Sequence, residues 1–207
     1  TEEVSYLLGR AYAELFPLGK GQNNLKVAVG QDCRLTSRVL ADKLMTGLCE
    51  GGLDMVSLEV CPTPLTYFSI FHLHLDGAIM VTGSHNPPEY NGFKICAGKD
   101  TLHGDKIQEL RMRMEAGNFR RPDRIGTRTS HAIIPEYIDY VYNNIQTHLH
   151  YSGRKLKVVL DSGNGTAGTV APPLFKRLGA EIIPLYCDLD GRFPNHHPDP
   201  TVPENLR

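Results

Sequence analysis

The sequence predicts two consecutive α/β domains with mixed sheets flanked by helices. Three observations carry this. Apolar runs alternate with amphipathic ones in the order strand, helix, strand, helix, strand through the first part of the chain. A charged stretch without periodicity, Arg120 to Arg128, then interrupts the alternation. Beyond it a fresh apolar run, Leu156 to Leu160, leads into a glycine-rich turn and a further helix and strand. The division places one domain at residues 1–129 and a second at residues 130–207.

Each element has its own warrant. Thr1 is an N-cap, with Glu2 and Glu3 in the first turn. Val4, Leu7, Leu8, Ala11 and Leu15 recur at helical spacing, and Pro17, Gly19 and Gly21 end that helix. Leu25 to Gly30 reads as a strand. Thr36 or Ser37 caps a second helix, with Leu40, Leu44 and Leu48 inward and Gly51-Gly52 as its stop. Met55 to Val60 is the next strand. Thr63 and Pro64 suit the N-cap and first position of a short third helix. Ala78 to Val81 is a buried strand. Ile107, Leu110 and Met114 mark a helix ending at Gly117. The run from Arg120 to Arg128 reads as a solvated linker. Pro135 opens a helix with Ile134, Ile138, Val141 and Ile145 inward, and after Leu156 to Leu160 come a helix over 167–178 and a strand over 182–186.

Composition narrows the function. The 207 residues are 41% hydrophobic and 22% charged, with a formal net charge of -1. No basic patch is advertised, which argues against nucleic acid as a partner. No apolar run approaches the ~20 residues of a membrane helix, and no secretory leader pattern opens the chain. Cys33, Cys49, Cys61, Cys96 and Cys187 are odd in number and lack C-x-x-C spacing, which fits free thiols in a reducing cytoplasm. His72 with His74, and His148 with His150, are wrongly spaced to share a helix face, so neither is a metal site. His196 and His197 between prolines read as structural. The abrupt ends lead us to expect a piece of a longer protein.

Chemistry concentrates in Gly77 to Ile95, GAIMVTGSHNPPEYNGFKI. The strand stops at Thr82-Gly83, and Pro87-Pro88 stiffen the loop beyond it. Ser84 therefore stands on a rigid loop. Asn91-Gly92 reads as a hairpin-type turn, and the return strand from Phe93 brings Lys94 back towards Ser84. A lone Ser-His pair on a loop is most often decoration. A hydrolase triad is excluded by the missing G-x-S-x-G elbow and by the opposed directions of neighbouring side chains. Arg34, in the loop after the first strand, lies at the same kind of sheet edge, where ligands gather. A rival signal comes from Gly163, Gly165 and Gly168, which match G-x-G-x-x-G, with Asp188 placed as a ribose-binding acid. That reading predicts a dinucleotide-binding domain, but too little chain remains after Asp188 to complete such a sheet.

TGSHNPPEYNGFK closely resembles the active-site loop of the α-D-phosphohexomutases, above all their bacterial phosphomannomutase/phosphoglucomutase branch. The likeness extends to G-x-D-x-R-x-S at Gly30, Asp32, Arg34 and Thr36 or Ser37. It continues through D-x-G-N-G-x-x-G from Asp161, and FPNHHPDP with PEN near the end. The resemblance implies the first domain and most of the second of a four-domain enzyme that interconverts hexose 1- and 6-phosphates. Ser84 would carry the phosphoryl group, and His85 and Lys94 would serve proton transfer and charge. Arg34, Asn86 and Asn91 would support the phosphoryl group or substrate. It further implies Mg²⁺, with Ser84's phosphoryl oxygen as one ligand and the rest beyond Arg207, and glucose 1,6-bisphosphate as activator. The family's Asp-rich metal loop, sugar-reading segment and C-terminal phosphate loop are absent, so the isolated chain is expected to fold and to be inactive. A non-catalytic sugar-phosphate binder is the remaining alternative.

Overall fold

The computed structural model describes residues 1–17, 25–148 and 154–206. Gly19, Gly21 and His150, which figure in the expectations above, lie outside them. Helices are α1 (Glu2–Ala13), α2 (Ser37–Glu50), α3 (Thr63–His72), α4 (Asp105–Ala116), α5 (Ile133–His148) and α6 (Ala171–Arg177). Strands are β1 (Lys26–Gln31), β2 (Asp54–Val60), β3 (Gly77–Val81), β4 (Phe93–Ala97), β5 (Asp100–Thr101), β6 (Arg128–Ser130), β7 (Lys157–Asp161) and β8 (Glu181–Leu185). The first sheet runs β5-β4-β3-β1-β2-β6 and is mixed: β6, β2, β1 and β3 are parallel, and β4 turns back against β3. β7 and β8 form a separate parallel pair. The α/β architecture with a mixed sheet is the one expected.

β1 and β3 read as unbroken apolar runs because both sheet faces are covered. Val29, Ile79 and Val81 pack with Tyr12 of α1 and Leu44 and Leu48 of α2. Ala28 and Ala78 point the other way, to Leu65 and Ile70 of α3 and Ile133 of α5. No helix among the described residues is long and apolar enough to cross a membrane.

Four local expectations change. The inward face of α1 is rotated: Val4 is exposed, while Ser5 and Tyr12 are buried and the Tyr12 hydroxyl donates to the Cys96 carbonyl at 2.5 Å. Thr36 and Ser37 provide no side-chain cap for α2, because their hydroxyls are engaged elsewhere. Pro62, not Thr63, precedes α3. The charged run is anchored to the first unit rather than merely solvated. Arg120 donates to the carbonyls of Ala13 and Phe16, Arg124 pairs with Asp54, and Arg128 opens β6 on the sheet edge. Burial alone would raise the Asp54 carboxyl; the bonds from Arg124 and Thr127 outweigh it and hold it down at about 2.

In the second unit, a 3₁₀ turn (Thr166–Thr169) separates the glycine-rich turn from α6. Pro172 and Pro173 explain the later start, since proline is tolerated only in a helix's first turn.

Candidate active site

From β1 the chain crosses to β2 on one side, then returns through α3 to β3 on the other. The loops after β1 and β3 therefore leave neighbouring parallel strands at the point where connections reverse direction, the usual place for a ligand crevice. Arg34 stands on the first loop and Ser84 on the second.

The Ser84 loop is held by one guanidinium. Arg34 donates from Nε to Asp32 at 3.0 Å, from Nη1 to the carbonyls of Pro87 at 2.5 Å and Tyr90 at 3.1 Å, and from Nη2 to those of Ser84 at 2.9 Å and Asn86 at 2.8 Å. That engages all five of its N–H groups. Its side chain is fully buried. Asp32 in turn accepts from the Arg34 and Gly83 amides and from the Ser37 hydroxyl. Arg34 thus has no donor left over to aim at a ligand; what it fixes is the path of the loop.

Ser84 itself takes a left-handed backbone, φ 54°, and its amide donates to Thr82 Oγ1 at 2.9 Å. The residue is exposed, and its Oγ has no hydrogen-bond partner among the described residues. The hairpin-type turn expected at Asn91-Gly92 is not there: neither residue has positive φ, and the connection spans Thr82 to Gly92. Asn91 instead clips the two loops together, donating to Thr36 and Ser37 and accepting from Gly92. Asn86 contributes its carbonyl to Arg34. Lys94 pairs with Met80 across β3 and β4.

Ser84, His85 and Lys94 share one cleft of about 840 Å³ with residues of the second unit, among them Asp161, His196 and Asp199. His196 braces that wall, with Nδ1 on the His197 carbonyl at 2.9 Å and Nε2 on Asp161 at 3.0 Å. Those two acceptors, the His197 carbonyl first, raise its pKa. The carboxyl of Asp199 is held low by Thr201, with a smaller contribution from His85. No group of three or more His, Cys, Asp or Glu among the described residues is placed to hold a metal. The residues present do not by themselves fit a Mg²⁺ centre.

The glycine-rich turn does not cradle an anion. The amides of Gly163, Asn164, Gly165 and Gly168 donate to Asp161, Tyr186, Ser162 and Gly165. A Cβ on Gly168 would lie 2.1 Å from the Cys187 carbonyl oxygen, so that glycine serves a close backbone approach. The dinucleotide reading gives way on these grounds.

Sequence reasoning did not find Phe193 and Gly191. Phe193 lays its ring against the Arg34 guanidinium, 5.1 Å from centroid to Cζ. A Cβ on Gly191 would meet the Cys33 carbonyl oxygen at 2.3 Å. DGRFPN carries no local sign of either contact.

The fold and cleft define a class: an α/β unit with a mixed sheet and a smaller α/β unit after it, which together line a cleft at a serine-bearing loop. Within that class, the chain belongs to the phosphoglucomutase/phosphomannomutase family. The family's alpha/beta/alpha domain I matches residues 1–121, and its alpha/beta/alpha domain II matches residues 135–207. The chain is 41% identical over 207 residues to the phosphomannomutase/phosphoglucomutase of Pseudomonas aeruginosa, covering all of this chain and 42% of the relative. It is 40% identical to the phosphoglucomutase of Neisseria meningitidis serogroup A, of which it covers 43%. A crystal structure of a phosphoglucomutase/phosphomannomutase family protein from Burkholderia thailandensis superposes with a TM-score of 0.88 at 37% identity, over all of this chain and 45% of that one. The chain thus spans less than half the length of the curated relatives it matches.

Proposed function

We propose that the protein to which this chain belongs is a phosphohexomutase that moves a phosphoryl group between Ser84 and the 1- and 6-positions of a hexose phosphate. The observation that carries this is an exposed Ser84 hydroxyl, without a hydrogen-bond partner among the described residues, on a loop whose backbone is fixed by Arg34. A nucleophile held still in a cleft is what in-line transfer needs, because that chemistry is chiefly positioning and charge stabilisation.

In the forward step a sugar hydroxyl oxygen attacks phosphorus, the bond from phosphorus to Ser84 Oγ breaks, the sugar hydroxyl proton passes to a base and Ser84 Oγ takes up a proton. In the return step the Ser84 oxygen attacks the other phosphate of the bisphosphate, the bond from that phosphorus to the sugar oxygen breaks, the Ser84 proton passes to a base and the sugar oxygen takes up a proton. Lys94 and His85, which line the cleft with Ser84, are assigned those proton and charge roles. Arg34, Asn86 and Asn91 support the phosphoryl group indirectly, by shaping the loop. Mg²⁺ would supply charge neutralisation when bound, and this chain would offer it one ligand, the phosphoryl oxygen on Ser84. The reading carries with it hexose phosphates as partners, glucose 1,6-bisphosphate as activator, a cytoplasmic location, and a domain division at 129/130. The 207 residues alone are assigned no turnover of mannose 1-phosphate.

The test is intact-mass analysis of the longer chain after incubation with glucose 1,6-bisphosphate. One phosphate is expected, on Ser84. Ser84→Ala is expected to lose turnover at least about a thousandfold, with an unchanged melting temperature. Label on another residue overturns the assignment.

A further inference from the structure

The loop from Asp188 to Asn195 belongs to the second unit, yet it closes over Arg34. Two close approaches make this contact. Gly191 lies against the backbone of Cys33 and Arg34, where any Cβ would be 2.3 Å from one oxygen and 2.7 Å from the Arg34 Cα. Phe193, buried and at a left-handed φ of 50°, presents its ring to one face of the guanidinium. Gly83 also lies against the guanidinium: a Cβ there would be 2.6 Å from Arg34 Cζ and 2.7 Å from its Nε. The buried guanidinium is therefore packed by both the serine loop and a ring from the second unit, with its donors filled by hydrogen bonds.

The second-unit loop is itself fixed by the glycine-rich turn. Asn164 accepts from the Asp190 amide at 3.0 Å and from Asn195 at 2.6 Å, and donates to the Asp188 carbonyl at 2.9 Å. The Cys33 thiol reaches the Asn164 carbonyl at 3.4 Å. A motif that holds no nucleotide thus has a task, which is to hold the loop that covers Arg34.

We propose that Phe193 is a positioning residue for Ser84, acting across the cleft through Arg34. The inference rests on the reading of Ser84 as the phosphoryl carrier. The ring excludes water from the guanidinium face and attracts its charge. Without it, water would compete with the four loop carbonyls for the Arg34 donors, and the Ser84 loop would lose its single geometry while the sheets stayed intact.

The test has two arms on the full chain. In the first, hydrogen exchange of the Arg34 Nε–H and of the Asn86 and Tyr90 amides is followed by nitrogen-15 NMR. Phe193→Leu, which keeps apolar volume and loses the π face, is expected to speed these about tenfold while Val29 and Ile79 in the sheet are unchanged. Phe193→Tyr is expected to restore them. Unchanged loop exchange overturns the proposal, and so does a uniform rise in loop and sheet, which would mark a merely structural residue. In the second arm, phosphorylation of Ser84 by glucose 1,6-bisphosphate is timed. Phe193→Leu is expected to lower kcat about tenfold with KM unchanged; a raised KM at normal kcat overturns the proposal. If the wild-type chain takes no phosphate at Ser84, the carrier reading fails while the exchange arm still reports on Phe193. If it does take phosphate and loop exchange is unmoved, the positioning role alone fails.

Discussion

Two turns in this molecule begin alike and end differently. After β3 the chain turns through Gly83 and Ser84, and after β7 through Gly163 and Asn164. In each a non-glycine residue is left-handed, at φ 54° for Ser84 and φ 59° for Asn164. That conformation costs roughly 1–2 kcal/mol for an L-residue. Ser84 turns its side chain out to the cleft, its hydroxyl without a partner among the described residues. Asn164 is buried and uses its amide, its carbonyl and both ends of its side chain on the chain around it. One local geometry thus builds either a reactive site or a clasp. What decides is whether the strain is offset by the residue's own side chain or by a neighbour, leaving the side chain free. For Ser84 the neighbours are Thr82 and Arg34.

The comparison is broken most forcefully at Arg34. A lysine there has three donors on a flexible stem and cannot serve five acceptors. Arg34→Lys would leave buried loop carbonyls unpaired and the Asp32 pair badly formed. The expected loss is on the order of 3–5 kcal/mol, read from the urea midpoint. A loss below about 1 kcal/mol would mean that the loop is held by something else.

A smaller effect separates the two parts of the Asn164 clasp. Asn164→Ala removes two side-chain hydrogen bonds and keeps the left-handed strain, for about 2–3 kcal/mol. Asn164→Gly loses the same bonds and relieves the strain, so it should be milder by about 1 kcal/mol. Equal losses would show that backbone strain matters little in this turn.

The mildest test titrates the wall behind the second turn. His196 has its pKa raised in the folded chain, by the His197 carbonyl first and then Asp161. Its contribution to stability is therefore fully present below the ordinary imidazole value. It is lost as pH rises through the raised folded value. Stability should fall over that window, and Asp161→Asn should narrow the fall. An NMR titration placing His196 below the usual value would reverse the sign, and one placing it at that value would remove the effect.

How much of this could be read from residues alone depends on the range of the interactions. Strands β1 and β3 are local apolar runs, and the helix stop at Gly117 is a single left-handed residue, so both were legible. The serine loop was legible as a motif. Its support was not, because Arg34 acts on backbone carbonyls, which every residue type presents alike. The same blindness hid β6. Arg120, Arg124 and Arg128 look like a solvated run until Asp54, Asp42 and the end of α1 are brought beside them by the fold. The N-cap of α2 falls at Thr36 as expected, but without a side-chain cap bond, for a related reason. Those hydroxyls had a stronger use, bonding Asn91 and Asp32 across more distant stretches of chain.

The packing around Arg34 also sets a schedule. Its parts come from residues 34, 83–90 and 193. A ribosome emits about 5–20 residues per second, so the stretch of roughly a hundred residues from Tyr90 to Phe193 takes about 5–20 s to appear. During that interval the first sheet can close and the serine loop can find its arginine, but the guanidinium's outer face stays wet. The nascent chain therefore carries its nucleophile for several seconds on a loop that has not yet received its lid.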